Sequence, residues 1–258
     1  MFTKTIDFSK YSSIRVGQPT PVLMIEKGDI PPTDRILIGG ANNLLISPNP
    51  PPLMRLSKDF ATITQEDNIL TIGASMPSGR IVSYAKKHNI AGFEFCGKLP
   101  GMLGGLLAMN AGVKEYEIFN ILHSIKIDGV WIERDNIEYG YRFAHLNGIA
   151  TEAKFEIREG FNQELLDELA NLRRNQPKEA SAGSSFKNPK GDYAGRLIEA
   201  VGLKGVQKGG MGWSAVHSNF LVNFGGGTFE DAKYLIDVAK AKVLDIFEVE
   251  LEEEIKIL

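Results

Sequence analysis

The sequence predicts an α+β fold in more than one part, with short strands early, an antiparallel stretch after a glycine-rich run and a helical period from residue 162. Three observations carry this. Short apolar runs separated by turns occupy much of the first third of the chain. Asp128-Gly129, between Ser124-Ile-Lys-Ile127 and Val130-Trp-Ile-Glu133, is a strong two-residue hairpin signal. At residue 162 the apolar period switches from two to helical, with Leu165, Leu166, Leu169 and Leu172 at helix spacing. At 258 residues the chain can bury a sizeable core and reads as two domains, one large domain being the alternative, with a boundary placed near 160.

In chain order, Val22-Leu-Met-Ile25 and Arg35-Ile-Leu-Ile38 read as strands, the second stopped by Gly39-Gly40. Pro48, Pro50, Pro51 and Pro52 force an extended loop. Ile69-Leu-Thr-Ile72 is another strand, and Ser78 to His88 a helix with Ile81, Val82 and Ala85 on one face. Ile149 to Ile157 alternates with Ala153, Phe155 and Ile157 inward. The helix after residue 162 is expected to end near Gln176-Pro177. Thr228 is a plausible N-cap for a long helix striped by Ala232, Leu235, Ile236, Ala239 and Val243. The closing FEVELEEEIKIL reads as a period-2 strand returning to an earlier sheet, with Glu250, Glu252 and Glu254 on the face opposite Leu251 and Ile255.

Composition excludes several classes. Apolar residues at 43% and charged residues at 24% describe an ordinary globular protein, and a net charge of −3 offers no stripe for nucleic acid. One cysteine, Cys96, fits a reducing compartment, and four scattered histidines give no metal-ligand spacing. The start lacks an apolar signal segment and no run reads as a membrane span, so the chain is expected to be cytoplasmic, with no metal and no membrane partner.

The run from Gly97 to Gly112 is too apolar for a solvent loop and too glycine-rich for a helix or strand interior. It predicts backbone laid against something flat or anionic. Gly92 to Leu99 nearly spells a phosphate loop, but Leu99 lacks the hydroxyl for Mg²⁺ and Pro100-Gly101 follow where a helix should run. Gly210-Met-Gly212-Trp-Ser-Ala215 lacks a convincing strand before it. Gly183-Ser184-Ser185-Phe186 is no hydrolase elbow, since Phe186 takes the second glycine's place; alone it reads as a turn of small residues. Tyr141-Arg142 alone reads as a strand end, and the C-terminal glutamates as a solvated face.

Together these pieces fall into an ordered pattern. Ile38-Gly-Gly-Ala-Asn-Asn-Leu-Leu-Ile46 resembles a flavin phosphate loop, and Leu99-Pro-Gly-Met-Leu-Gly-Gly105 with Met109-Asn-Ala-Gly112 a second flavin-cradling segment. Tyr139-Gly-Tyr-Arg142, Ala182-Gly-Ser-Ser-Phe-Lys-Asn-Pro189, His217-Ser-Asn-Phe-Leu-Val-Asn223 and Leu251-Glu-Glu-Glu-Ile-Lys256 follow in order. Over nearly its whole length the chain resembles the UDP-N-acetylenolpyruvoylglucosamine reductase family, in its short form without a tyrosine-bearing insertion. It departs at Ala41, Asn42, Val113 to Glu115, Glu253 and Lys256. A lysine often found before Gln176-Pro177 is also absent, which leaves Arg174 or Lys178 to replace a diphosphate contact.

The resemblance implies a two-part FAD-binding domain of the vanillyl-alcohol-oxidase (PCMH) type over 1–159, an α+β substrate domain over 160–245, and a C-terminal strand, 246–258, returning to the active site. It implies non-covalent FAD, NADPH as hydride donor and UDP-N-acetylglucosamine enolpyruvate as substrate; a monomer is expected, with an oligomer left open. Gly39, Gly40, Ala41, Asn42 and Asn43 would cradle the FAD pyrophosphate; Leu99, Pro100, Gly101, Gly104, Gly105, Asn110 and Gly112 would lie by the flavin. Arg142 would clasp the substrate carboxylate, Glu254 bind or protonate the enolic oxygen, and Ser184 protonate the carbon. Tyr141, Lys187, Asn188 and His217 complete the substrate set. Two rival readings stand beside it: another flavoenzyme of the same fold, and a flavin-free binding module.

Overall fold

The computed structural model describes residues 1–172 and 176–258, and the chain is α+β. It divides into two compact units. Met1–Lys4, Val22–Gly40 and Pro52–Arg174 form the first, and Thr5–Pro21, Ala41–Pro51 and Asn175–Leu258 the second.

The first unit is built on a five-stranded antiparallel sheet in the order Val130–Glu133, Leu122–Ile127, Ala150–Glu156, Ile69–Gly73, Ile63–Glu66. The hairpin expected at Asp128-Gly129 is present: Ile127 pairs with Val130, and both turn residues have positive φ (+47° and +83°). That geometry matches the twist of the flanking strands. Alternation buries Ile72, Ile125, Ala153 and Phe155 in one core with Ile81, Val82 and Ala85 of the helix Ser78–Lys87. In a smaller parallel arrangement, Val22–Ile25 and Ile36–Leu37 both pair with the strand Leu53–Leu56.

The glycine-rich run corrects an expectation. Leu103–Ala108 is an α-helix despite containing Gly104 and Gly105. Leu103, Leu106 and Leu107 are buried, and each such side chain contributes roughly 1.5–3 kcal/mol, more than the ~1 kcal/mol that a helical glycine costs. Gly104 also permits close approach, since a Cβ there would lie 3.3 Å from Ala74. The phosphate-loop look-alike is a 3₁₀ turn, Glu94–Lys98, that buries Phe95 and Cys96. Buried Glu94 accepts the Gly92 and Asn162 amides (2.7 and 2.8 Å), and Gly97 faces Leu166. The helix expected from residue 162 spans Gln163–Leu172; the expected stretch up to Gln176 runs through 173–175, which lie outside the described residues.

The second unit has a four-stranded antiparallel sheet in the order Ala180–Ser184, Phe220–Asn223, Met211–Trp213, Gln207–Lys208. The helix Phe229–Phe247 buries its expected stripe, Ala232, Leu235, Ile236, Ala239 and Val243, in a core with Leu197, Ile198 and Trp213. Thr228 caps it in a reciprocal box with Asp231. The C-terminal strand is shorter than expected. Phe247 still belongs to the helix, Glu248 ends it in a left-handed conformation (φ +56°), and only Lys256–Ile257 is strand, parallel to Leu44–Leu45. Alternation survives without a ladder, since Leu251 and Ile255 are buried beside exposed Glu252 and Lys256.

Candidate active site

In the first unit a cavity of about 260 Å³ is walled by the strand ends Leu37-Ile38-Gly39 and Arg55-Leu56, by Ala74-Ser75, and by one face of Leu103–Ala108. Gly39, Gly104 and Gly105 all line it. A Cβ on Gly39 would come within 4.0 Å of the Gly105 amide nitrogen, and one on Gly105 would meet no atom within 4 Å. The wall is therefore bare backbone over part of its area, with Arg55 supplying a cation. Leu99, Pro100, Gly101, Asn110 and Gly112 are not among its lining residues. Leu99 is buried in the core and its carbonyl accepts the Ser78 hydroxyl; Pro100 is exposed; Gly101 (φ +128°) accepts the Ser78 amide at 3.0 Å. Asn110 is fully buried and hydrogen-bonded to Glu117, Gly140 and Phe119.

Tyr141 and Arg142 form the turn between the two short paired strands Tyr139–Gly140 and Phe143–Ala144. Arg142 has φ +63°, a conformation that strains a residue with a side chain. Its guanidinium carbon lies 4.9 Å from the centre of the Tyr141 ring, and Nη2 donates to the Gly112 carbonyl at 3.3 Å.

In the second unit the chain around Ser184 and the C-terminal segment are stitched together. The Ser185 carbonyl accepts the Glu254 and Ile255 amides (2.9 and 3.3 Å), Phe186 bridges Glu253, and Lys187 donates its amide to the Glu252 carbonyl at 2.9 Å. Ser184 ends its strand after Gly183 (φ +82°), and it pairs with Phe220 just past a register shift that falls between Ser181 and Ser184. Ser184 and Glu254 are both half-buried. Asn43 donates its side-chain amide to the Glu254 carbonyl (2.8 Å) and accepts the Lys256 amide through its own carbonyl (2.9 Å). Asn42 donates to the Ser13 hydroxyl at 2.7 Å, and Ala41 holds φ +52°. Gly39 and Gly40 belong to the first unit and Ala41 to Asn43 to the second.

Among the remaining expected substrate residues, Lys187 pairs with the Glu252 carboxylate, and the Asn188 side-chain oxygen accepts the Ala194 amide at the start of the helix Ala194–Ala200. His217 Nδ1 accepts the Asn219 amide at 3.3 Å, which assigns the proton of the neutral ring to Nε2. Desolvation is the largest influence on this ring and holds its pKa below the ordinary histidine value. Arg174 lies outside the described residues.

Sequence reasoning missed two residues that organise these segments. Buried Asn219 accepts the Phe186 amide (3.0 Å) and donates to the Phe186 carbonyl (2.8 Å), mimicking a strand against the Ser184 loop. Its signal was present in the run His217 to Asn223. Glu117 carried no signal beyond its position after Asn110-Ala-Gly112.

Residues 176–258 match the family model described as the C-terminal domain of UDP-N-acetylenolpyruvoylglucosamine reductase. The whole chain is 47% identical to the UDP-N-acetylenolpyruvoylglucosamine reductase of Helicobacter hepaticus, and all of that protein is covered. It is 42% identical to the Helicobacter pylori enzyme of that name, again over the full length of both. With the Campylobacter jejuni enzyme identity is 46%, covering 98% of this chain and 99% of the relative. The crystal structure of the Thermus caldophilus reductase superposes with a TM-score of 0.85 at 29% identity, over 100% of this chain and 99% of that one.

Proposed function

This chain belongs to the UDP-N-acetylenolpyruvoylglucosamine reductase family, and on that premise we propose that it is an FAD- and NADPH-dependent oxidoreductase of peptidoglycan precursor synthesis. Its reaction is reduction of the enolpyruvyl group of UDP-N-acetylglucosamine enolpyruvate to give UDP-N-acetylmuramate. The cytoplasm is the compartment of this reading; among the described residues no helix is long and apolar enough to cross a membrane.

The residues present fit a flavin. A flat ring system needs a wall without side chains, and Gly39, Gly104 and Gly105 leave bare backbone on the cavity. When bound, non-covalent FAD supplies the hydride chemistry. Gly39, Gly40, Ala41, Asn42 and Asn43 supply backbone for its pyrophosphate, in the manner of an anion nest.

The protein's task is the negative charge that reduction of a vinyl group pushes into the adjacent carbon and carboxylate. Arg142 answers it with a planar fork matched to a carboxylate. Glu254 hydrogen-bonds or protonates the enolic oxygen, and the Ser184 hydroxyl delivers its proton to the carbon. A hydroxyl is a weak acid, so it transfers that proton only to a partner as basic as an enolate. Fixed donors stabilise such charge better than mobile water, because they need no reorganisation when it forms. Tyr141, Lys187, Asn188 and neutral His217, donating through Nε2, are assigned to the remainder of the nucleotide substrate.

The observation that most supports this division of roles is the pairing of the Ser184 loop with the C-terminal segment through Ser185 and Glu254. An absorbance spectrum of the purified protein tests the flavin reading. Flavin bands released on denaturation are expected; a colourless protein that also fails to take up added FAD would reject it.

A further inference from the structure

We propose that Glu117 is a positioning residue for Arg142, holding the guanidinium in the orientation that meets the substrate carboxylate; this rests on the role assigned to Arg142 above. The turn that carries Arg142 is strained at φ +63° and needs external support to persist.

Two struts supply it, and both run through Glu117. In the first, the Asn110 side-chain amide donates to Glu117 Oε2 at 2.8 Å and to the Gly140 carbonyl at 3.1 Å, two residues before Arg142. Asn110 is in turn fixed through its side-chain oxygen, which accepts the Phe119 amide at 3.2 Å. In the second, Glu117 Oε1 lies 4.0 Å from Arg142 Nη1, while Arg142 Nη2 donates to the Gly112 carbonyl. Gly112 is the strand partner of Glu117. A Cβ on Gly112 would lie 2.2 Å from the Tyr116 carbonyl oxygen and 2.8 Å from Glu117 Cγ, so glycine is required for Glu117 to stand where it does.

One carboxylate thus ties the backbone entering the turn to the charged head leaving it. Both side chains are about three-quarters buried, at 21% and 23% exposure, so water screens the pair less than an exposed one. The charge opposite Arg142 restricts a long, rotamer-rich side chain before substrate arrives, which lowers the entropy cost of binding the carboxylate in one geometry.

The test is Glu117→Gln, which keeps an oxygen to accept from Asn110 but removes the charge beside Arg142. Rapid-mixing measurements on the FAD-loaded protein would follow reduction by NADPH and reoxidation by UDP-N-acetylglucosamine enolpyruvate separately, with melting temperature and substrate affinity for the oxidised protein read in parallel. Reoxidation is expected to slow about tenfold, within the scale of misplacing a positioning group, and substrate affinity to fall, while reduction and melting temperature stay near wild type. An Arg142→Lys variant distinguishes the two layers of the argument. Slow reoxidation in R142K with wild-type behaviour in E117Q would overturn the role of Glu117 alone. Wild-type behaviour in both would overturn the role of Arg142 and this inference with it. Equal loss of both half-reactions with a lowered melting temperature in E117Q would make Glu117 merely structural and also overturn it.

Discussion

The Ser185 carbonyl oxygen accepts the amide hydrogen of Glu254 at 2.9 Å, joining two segments that are 69 residues apart in number (254 minus 185). This bond ties the backbone of Glu254 to that of the residue following Ser184. If Ser184 supplies the proton to carbon, Ser184→Ala leaves reduction by NADPH intact and slows reoxidation by the enolpyruvyl substrate about a hundredfold or more, the usual worth of a positioned acid. Rapid mixing under anaerobic conditions separates the steps. Two fast half-reactions would remove Ser184 from its role.

Gly105 faces open space on the cavity wall, so a larger side chain fits the apo fold but fills the proposed flavin site. Gly105→Leu is expected to fold with an unchanged or higher apo melting temperature, because leucine is the better helix former, and to lose FAD affinity at least about tenfold. Fluorescence titration with FAD checks this; wild-type affinity would place the cofactor elsewhere.

His217 gives a pH-dependent stability term whose sign follows from its environment. Its folded pKa is depressed below 6.5, mainly by desolvation, so on acidification the unfolded chain binds a proton the folded chain resists. The term is fully favourable well above 6.5 and is lost as pH falls through the two values. The stability of wild type minus that of His217→Gln, from denaturant melts, should be flat above about pH 7.5 and decline towards about pH 5. A difference that rises on acidification would contradict the assignment.

The reciprocal cap between Thr228 and Asp231 is a matter of stability alone. Thr228→Ala should cost about 1 kcal/mol in urea unfolding without altering either half-reaction. A kinetic defect as large as the stability loss would mean that the long helix contributes to the site.

How much of this was legible in the sequence depends on whether a signal was local. The Asp128-Gly129 turn and the Thr228 cap are set by residues within a few positions, and both form as expected. The helix at Leu103–Ala108 was not legible, because its two glycines argue against it while burial of three leucines against distant residues decides it. The C-terminal strand was overextended because alternation records burial, not pairing; Leu251 and Ile255 are buried in a segment held by irregular bonds to Ser185 and Lys187. Of the residues proposed for the site, Ser184, Arg142 and Glu254 were proposed from ordered motifs. Asn219 and Glu117 were not, since Asn219 acts through hydrogen bonds to the distant Phe186 and Glu117 through a bond to Asn110 and an ion pair with the distant Arg142, which no spacing rule reveals.

On the proposed function, this chain couples NADPH to reduction of an enolpyruvyl sugar nucleotide. The most direct test of this coupling is NADPH oxidation by the purified FAD-loaded protein, followed at the nicotinamide absorbance before and after addition of UDP-N-acetylglucosamine enolpyruvate. The expected result is consumption that depends on the nucleotide and is equimolar with UDP-N-acetylmuramate formed. An FAD-loaded protein whose NADPH consumption is unchanged by the nucleotide, with no UDP-N-acetylmuramate formed, would contradict it.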